Sequence, residues 1–89
     1  MSKRTVNYTQ NGLSRLPNDK PALYRILTEA GKVNYAGVAK RGRVPDRIRE
    51  HMGKIPGAKV QIEQFSSIQD AKAKEARVIA RNDPRYNHN

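Results

Sequence analysis

Residues 22–38 read ALYRILTEAGKVNYAGV. ALYRIL (22–27) and VNYAGV (33–38) each have the aliphatic and aromatic content of a strand. The intervening TEAGK, with Gly31 available for a positive backbone angle, suits a hairpin turn. Pairing Thr28 with Val33 sets Tyr24 opposite Gly37 and puts Tyr35 diagonally across from Tyr24 on the same face. A slip of one residue would carry the two phenols to opposite faces.

Downstream, KRGR (40–43) is a basic loop and PDRIREHM (45–52) a short helix, with Pro45 at a tolerated first position and Gly53 as its stop. Ile48 and Met52 form an apolar pair on it, while Arg47 and His51, four apart, share the adjoining face. KIPG (54–57) turns the chain into AKVQIEQF (58–65). The alternation of Ala58, Val60 and Ile62 there predicts a third, half-exposed strand. A last helix begins at SSIQDAKAKEA, where Ser66 and Gln69 have capping-box spacing, and ends before Asp83-Pro84. The order is strand, strand, helix, strand, helix, an α+β arrangement in residues 21–89. Residues 1–20 have few apolar groups and many polar and basic ones, so they are expected as a flexible basic arm, with Leu13 and Leu16 able to dock a short turn onto the body.

Eighty-nine residues make one small domain. A hydrophobic fraction of 36%, with one Phe and no Trp, limits the core to modest size, built mainly from Ile, Val, Leu and Ala. The 18 Lys and Arg against 8 Asp and Glu leave a formal +10, which points to a polyanionic partner, nucleic acid before an acidic membrane surface. Six cations (Lys40, Arg41, Arg43, Arg47, Arg49, Lys54) against Asp46 and Glu50 fall within residues 40–54, a patch and not a uniform coat. Absence of cysteine excludes disulfides and thiolate metal sites. No apolar run approaches a membrane span and MSKRTVNYTQNG lacks the apolar segment of a secretory signal, so a soluble, cytoplasmic protein without membrane contact is expected.

Glu75 breaks the pattern of the last helix. At 3.6 residues per turn, Ile68, Ala71, Val78 and Ile79 form one apolar stripe with Glu75 at its centre, while Lys74, Arg77, Arg81 and Asp70 share the other side. A buried, unpaired carboxylate costs several kcal/mol by rough estimate unless it is protonated, paired or bound to a metal. An ion pair with an arginine beneath the helix and a metal ligand facing a cleft both answer that requirement. As a ligand, a single carboxylate suits Mg²⁺ completed by waters and substrate phosphate, and makes a poor zinc site. Tyr24 and Tyr35 also have an ordinary reading as core-filling strand tyrosines, and Arg47 with His51 as a solvated helix face.

Ala22-Leu23-Tyr24, followed after ten residues by Tyr35-Ala36-Gly37, resembles the paired motif of the GIY-YIG nucleases. Arg47-Ile48-xx-His51 is similar to the RLxxH element that follows it, and Glu75, Ile79, Pro84 and Asn87 to the closing ExxxIxxxxPxxN. The resemblance covers about residues 21–88. Ala22 stands in place of the first-motif glycine, a departure that puts the strand's position in question, and Ala36 in place of the usual Ile or Val of the second.

The resemblance implies a small three-stranded antiparallel sheet flanked by helices, in the order β-β-α-β-α, and hydrolysis of a DNA phosphodiester with one divalent metal, Mg²⁺ or Mn²⁺. Carried over, Tyr24 deprotonates water or relays its proton, Tyr35 is its partner phenol, Arg47 contacts the scissile phosphate, Glu75 holds the metal, Asn87 helps shape the site and His51 supports it. Lys40, Arg41, Arg43 and Arg49 would hold flanking phosphates without reading sequence. With no room for a separate DNA-binding domain, specificity is expected to be low or supplied by a partner protein or a homodimer. A non-catalytic nucleic-acid-binding module that keeps the fold is the other reading, although a carboxylate facing phosphate would weaken mere binding.

Overall fold

The computed structural model describes residues 3–87. The hairpin forms as β2 (Ala22–Leu27) and β3 (Val33–Ala39), antiparallel, with Tyr24 opposite Gly37 and Ile26 opposite Tyr35. The expected register therefore holds through the body of the strands. It shifts at Ile26/Leu27, so that Leu27 and not Thr28 faces Val33, and Thr28 instead takes the Lys32 carbonyl in the turn. Gly31 supplies the positive φ, at 88°, that this turn requires. Ala22 pairs with Ala39 on one side and Gln64 on the other, in line with the residues that follow it.

The sheet has four strands, not three, in the order β1-β4-β2-β3. The extra strand is β1 (Lys3–Asn7), which pairs antiparallel with β4 (Lys59–Gln64), from Lys3 opposite Glu63 to Asn7 opposite Lys59. Residues 3–16, expected as part of an arm outside the body, thus belong to the sheet and its cover. After β1, Thr9 caps the short helix α1 (Gln10–Leu13), and Leu13 and Leu16 are buried in the core. Charged, one-sided β1 has no apolar alternation to reveal it, because an edge strand draws its stability from the backbone ladder and from single contacts such as Val6. β4 accordingly lies inside the sheet and is not an exposed edge. The outer ends of the two segments expected from the sequence, residues 1–2 and 88–89, lie outside the described residues.

Two cores cover the two faces. Ala22, Tyr24 and Ile26 of β2 join Val60 and Ile62 of β4 beneath Leu13, Leu16 and α2 (Val44–Arg49), whose Val44 and Ile48 are buried. On the other face, Leu23, Ala36 and Phe65 meet Ala71 and Val78 of α3 (Ile68–Asn82). With helices on both sides, β2 is buried from Ala22 to Ile26 without the alternation of a half-exposed strand. The N-cap of α3 is Ser67, whose side chain accepts from the Asp70 amide, and not Ser66. At its other end Asp83 adopts a left-handed φ of 47° ahead of buried Pro84, and a final 3-10 turn (Arg85–Asn87) comes back against β3.

No helix among the described residues is long and apolar enough to cross a membrane.

Candidate functional site

The free edge of β3 is where the elements meet. At Gly37 a side chain would collide with its neighbour: a Cβ there would stand 2.6 Å from the Tyr24 hydroxyl and 3.1 Å from the Tyr35 ring. Glycine therefore lets the Tyr24 ring lie across β3, 6.1 Å from the ring of Tyr35. The turns after α2 bring in His51, whose ring is 4.6 Å from Tyr35 and whose Nε2 is 2.8 Å from the Tyr24 hydroxyl.

Tyr24 is 0% exposed, whereas Tyr35, His51 and Glu75 are only half-buried. Burial drives the Tyr24 phenol well above its ordinary pKa of 10.0; Tyr35 adds to the rise, Arg47 opposes it and Glu75 adds again. That Arg47 and Glu75 both act on this hydroxyl brings the tyrosines, α2 and α3 into one electrostatic neighbourhood. Burial, with the charge of Arg47, holds His51 below 6.5 against the opposing pull of Glu50. With a neutral ring facing a phenol that keeps its proton, the imidazole tautomer sets the direction of this bond: the Tyr24 hydroxyl donates to Nε2 in the Nδ1–H tautomer and accepts from it in the Nε2–H tautomer.

Glu75 sits on the flank of α3 with Lys72. Burial raises its pKa above 4.5 and Lys72 partly offsets the rise. Among the described residues it forms no ion pair and no hydrogen bond, so the arginine pairing that the sequence left open is not what satisfies it. Among the described residues no three His, Cys, Asp or Glu side chains gather as a metal cage. One partly desolvated carboxylate beside Lys72 fits Mg²⁺ or Mn²⁺, which retain waters and accept oxygens from other sources, and does not fit a closed zinc site.

Asn87 closes the edge. Its Oδ1 accepts from the Ala36 amide at 2.9 Å and its Nδ2 donates to the Ala36 carbonyl at 2.9 Å, so the side-chain amide stands in for a fifth strand. It braces Ala36-Gly37 and does not point at a substrate through its polar groups. The expected phosphate-binding residues divide. Lys40 and Arg43 line a cavity of about 330 Å³ with Arg47 and Lys72, over Val38 and Ile68. Arg41 does not line it, and Arg49 turns away to Gln10 at 2.8 Å and Asp46 at 2.9 Å. Lys72 is the residue that the sequence reading omits; its position one turn before Glu75, on the same flank of α3, was the available signal. Arg43 and Arg47 reach Glu50 at 3.9 and 3.7 Å, exposed pairs of the weak kind.

A scan against models of known protein families finds no match for this chain, and neither does a search of the curated proteins.

Proposed function

We propose that the protein is a GIY-YIG-type endonuclease that nicks DNA. The observation that carries the reading is the convergence on one buried phenol: Tyr35 from the hairpin, Arg47 and His51 from α2 and its following turn, and an unpaired Glu75 from α3 all act around Tyr24. A divalent ion held by Glu75, Mg²⁺ or Mn²⁺, would supply Lewis-acid polarisation of the phosphoryl oxygens.

The chain's own groups then divide the remaining work. Arg47, with Lys40, Arg43 and Lys72 along the neighbouring cavity, places the phosphodiester and stabilises the charge it gains as water attacks. Closed to solvent, Tyr24 does not meet bulk water itself. Tyr35 is the outward phenol: as it takes the proton of the attacking water it gives its own to Tyr24, and Tyr24 passes its proton to Nε2 of neutral His51 in the Nδ1–H tautomer. This gives His51 the accepting role in place of a merely supporting one.

Supercoiled plasmid is the test. The protein nicks it with Mg²⁺ or Mn²⁺, and Glu75→Ala abolishes nicking while DNA binding, measured in EDTA, persists. One site cuts one strand, so linear product appears late, through a dimer or a second encounter. If the wild type leaves duplex, single-stranded and branched DNA intact in either metal yet binds them, the non-catalytic module is the right reading; the sealed Tyr24 hydroxyl is the observation that favours it.

A further inference from the structure

The flank of α3 that faces away from Glu75 has no part in the site above. There Lys74, Arg77 and Arg81 stand over β2 and the start of β1, and with Lys3 and Arg25 they line a cavity of about 260 Å³ into which no carboxylate projects among its lining residues. Arg25 is a fixed element of it, only 8% exposed. Its Nη1 donates to Gln61 Oε1 at 3.3 Å and lies 3.5 Å from Glu63 Oε1, and Glu63 is itself 5% exposed with that oxygen otherwise unpartnered. Gln61 is held in turn by Thr5 of β1. The groove thus joins one buried cation, Arg25, already paired with Glu63, to the exposed Lys3, Arg77 and Arg81 and the half-buried Lys74, with Asp70 one turn before Lys74 on the same flank, a net basic surface complementary to a polyanion.

We infer that this groove is a second phosphate-binding site, one that holds the sugar-phosphate backbone of a nucleic-acid strand on the far side of α3 from Glu75. The length of the row selects a polymer over a free phosphate. Lys74 to Arg81 spans seven residues, roughly 10 Å of helix, and a strand of duplex presents a phosphate about every 3.4 Å along its axis. Because that rise is a projection and the strand also winds around the axis, successive phosphates lie farther apart than this and the row matches about two of them. The exposed Arg77 and Arg81 offer planar forks while the lysines act as point charges, and Arg25, held by Gln61 and Glu63, lies beneath them. α3 thereby becomes a two-sided element, its glutamate flank toward the tyrosines and its basic flank toward backbone that has left the cutting site. The inference rests on the polynucleotide part of the proposed function and not on cleavage.

The experiment measures binding of a duplex of about two helical turns in EDTA, as the slope of log affinity against log salt. Arg77→Ala/Arg81→Ala lowers the magnitude of the slope by about 1.8, two contacts at about 0.9 each. Arg77→Lys/Arg81→Lys keeps it near wild type. Lys20→Ala/Lys32→Ala, an equal loss of charge on exposed residues outside the groove, changes it by well under one contact. Circular dichroism verifies the fold, and alanine on an exposed helix face does not disturb it. An unchanged slope in the arginine double variant overturns the inference. So does an equal fall in the lysine control, which means diffuse charge, or a wild type that binds phosphatidylserine vesicles through these arginines and not DNA. Nicking separates the two ideas: a protein that binds through the groove but never cuts keeps this inference and loses the nuclease, and one that cuts while its arginine double variant keeps the wild-type salt slope does the reverse.

Discussion

Gly37→Ala probes the construction of the site with a single methyl group. Elsewhere in a strand, glycine to alanine stabilises by roughly 0.5–1 kcal/mol, because glycine loses more freedom on folding. Here the new Cβ would lie 2.6 Å from the Tyr24 hydroxyl oxygen and 2.7 Å from its Cζ, and the ring is fully buried with no room to swing aside. Overpacking of this kind costs about 1–3 kcal/mol. Displacing Tyr24 also breaks its 2.8 Å bond to His51, and a buried hydroxyl left unpaired costs a further ~1–3 kcal/mol. The sum, about 2–6 kcal/mol, is a large share of what a domain of this size has at ~0.05–0.15 kcal/mol per residue. Urea unfolding reads it as a midpoint lowered by at least ~1 M, at a slope of about 1–2 kcal/mol per molar. In a Tyr24→Leu background the colliding atoms are gone, so most of the penalty disappears, and the double-mutant cycle gives a coupling above ~1 kcal/mol. A neutral or stabilising Gly37→Ala, or an equal cost in both backgrounds, refutes the reasoning.

Other groups make separate claims. His51 is held below its unfolded value of 6.5, so it supports the fold fully above 6.5 and less as the pH falls from there toward its depressed native value, where the unfolded chain takes up a proton first; His51→Gln should flatten that part of the stability-against-pH curve, and parallel curves would contradict the assignment. Asn87→Ala removes both bonds to Ala36, costs about 1–3 kcal/mol, and speeds hydrogen exchange at the Ala36 amide; unchanged protection there would mean that Asn87 does not brace the edge. Arg25→Ala strands Glu63 in the interior and costs about 3–5 kcal/mol, whereas Arg25→Met/Glu63→Leu recovers most of it; thermal melts of the two that coincide would show the ion pair to be irrelevant.

The hairpin was legible because side-chain alternation and a turn glycine specify register locally, and Tyr24 opposite Gly37 follows from them alone. The bulge at Leu27 was not, since it depends on how the turn closes. Two adjacent serines precede α3 with nothing in composition to choose between them, and only the backbone, extended at Ser67 with φ −145°, decides which one caps. The oddity of Glu75 was visible as a charge in an apolar stripe. Whether an arginine answered it depended on distances across the sheet.

From the sequence by itself came the α+β order, the pairing of the two phenols, the basic stretch after β3 and the helix with a glutamate in its stripe, all consequences of periodicity and turn chemistry acting over a few residues. Tertiary structure alone decided that residues 3–7 complete a four-stranded sheet, that Tyr24 is closed to solvent and hydrogen-bonded to His51, that Lys72 joins Arg47 while Arg49 does not, and that Arg25 anchors a second basic groove. These rest on burial and on charges brought together from distant parts of the chain, and neither exists until the strands and helices close around one another.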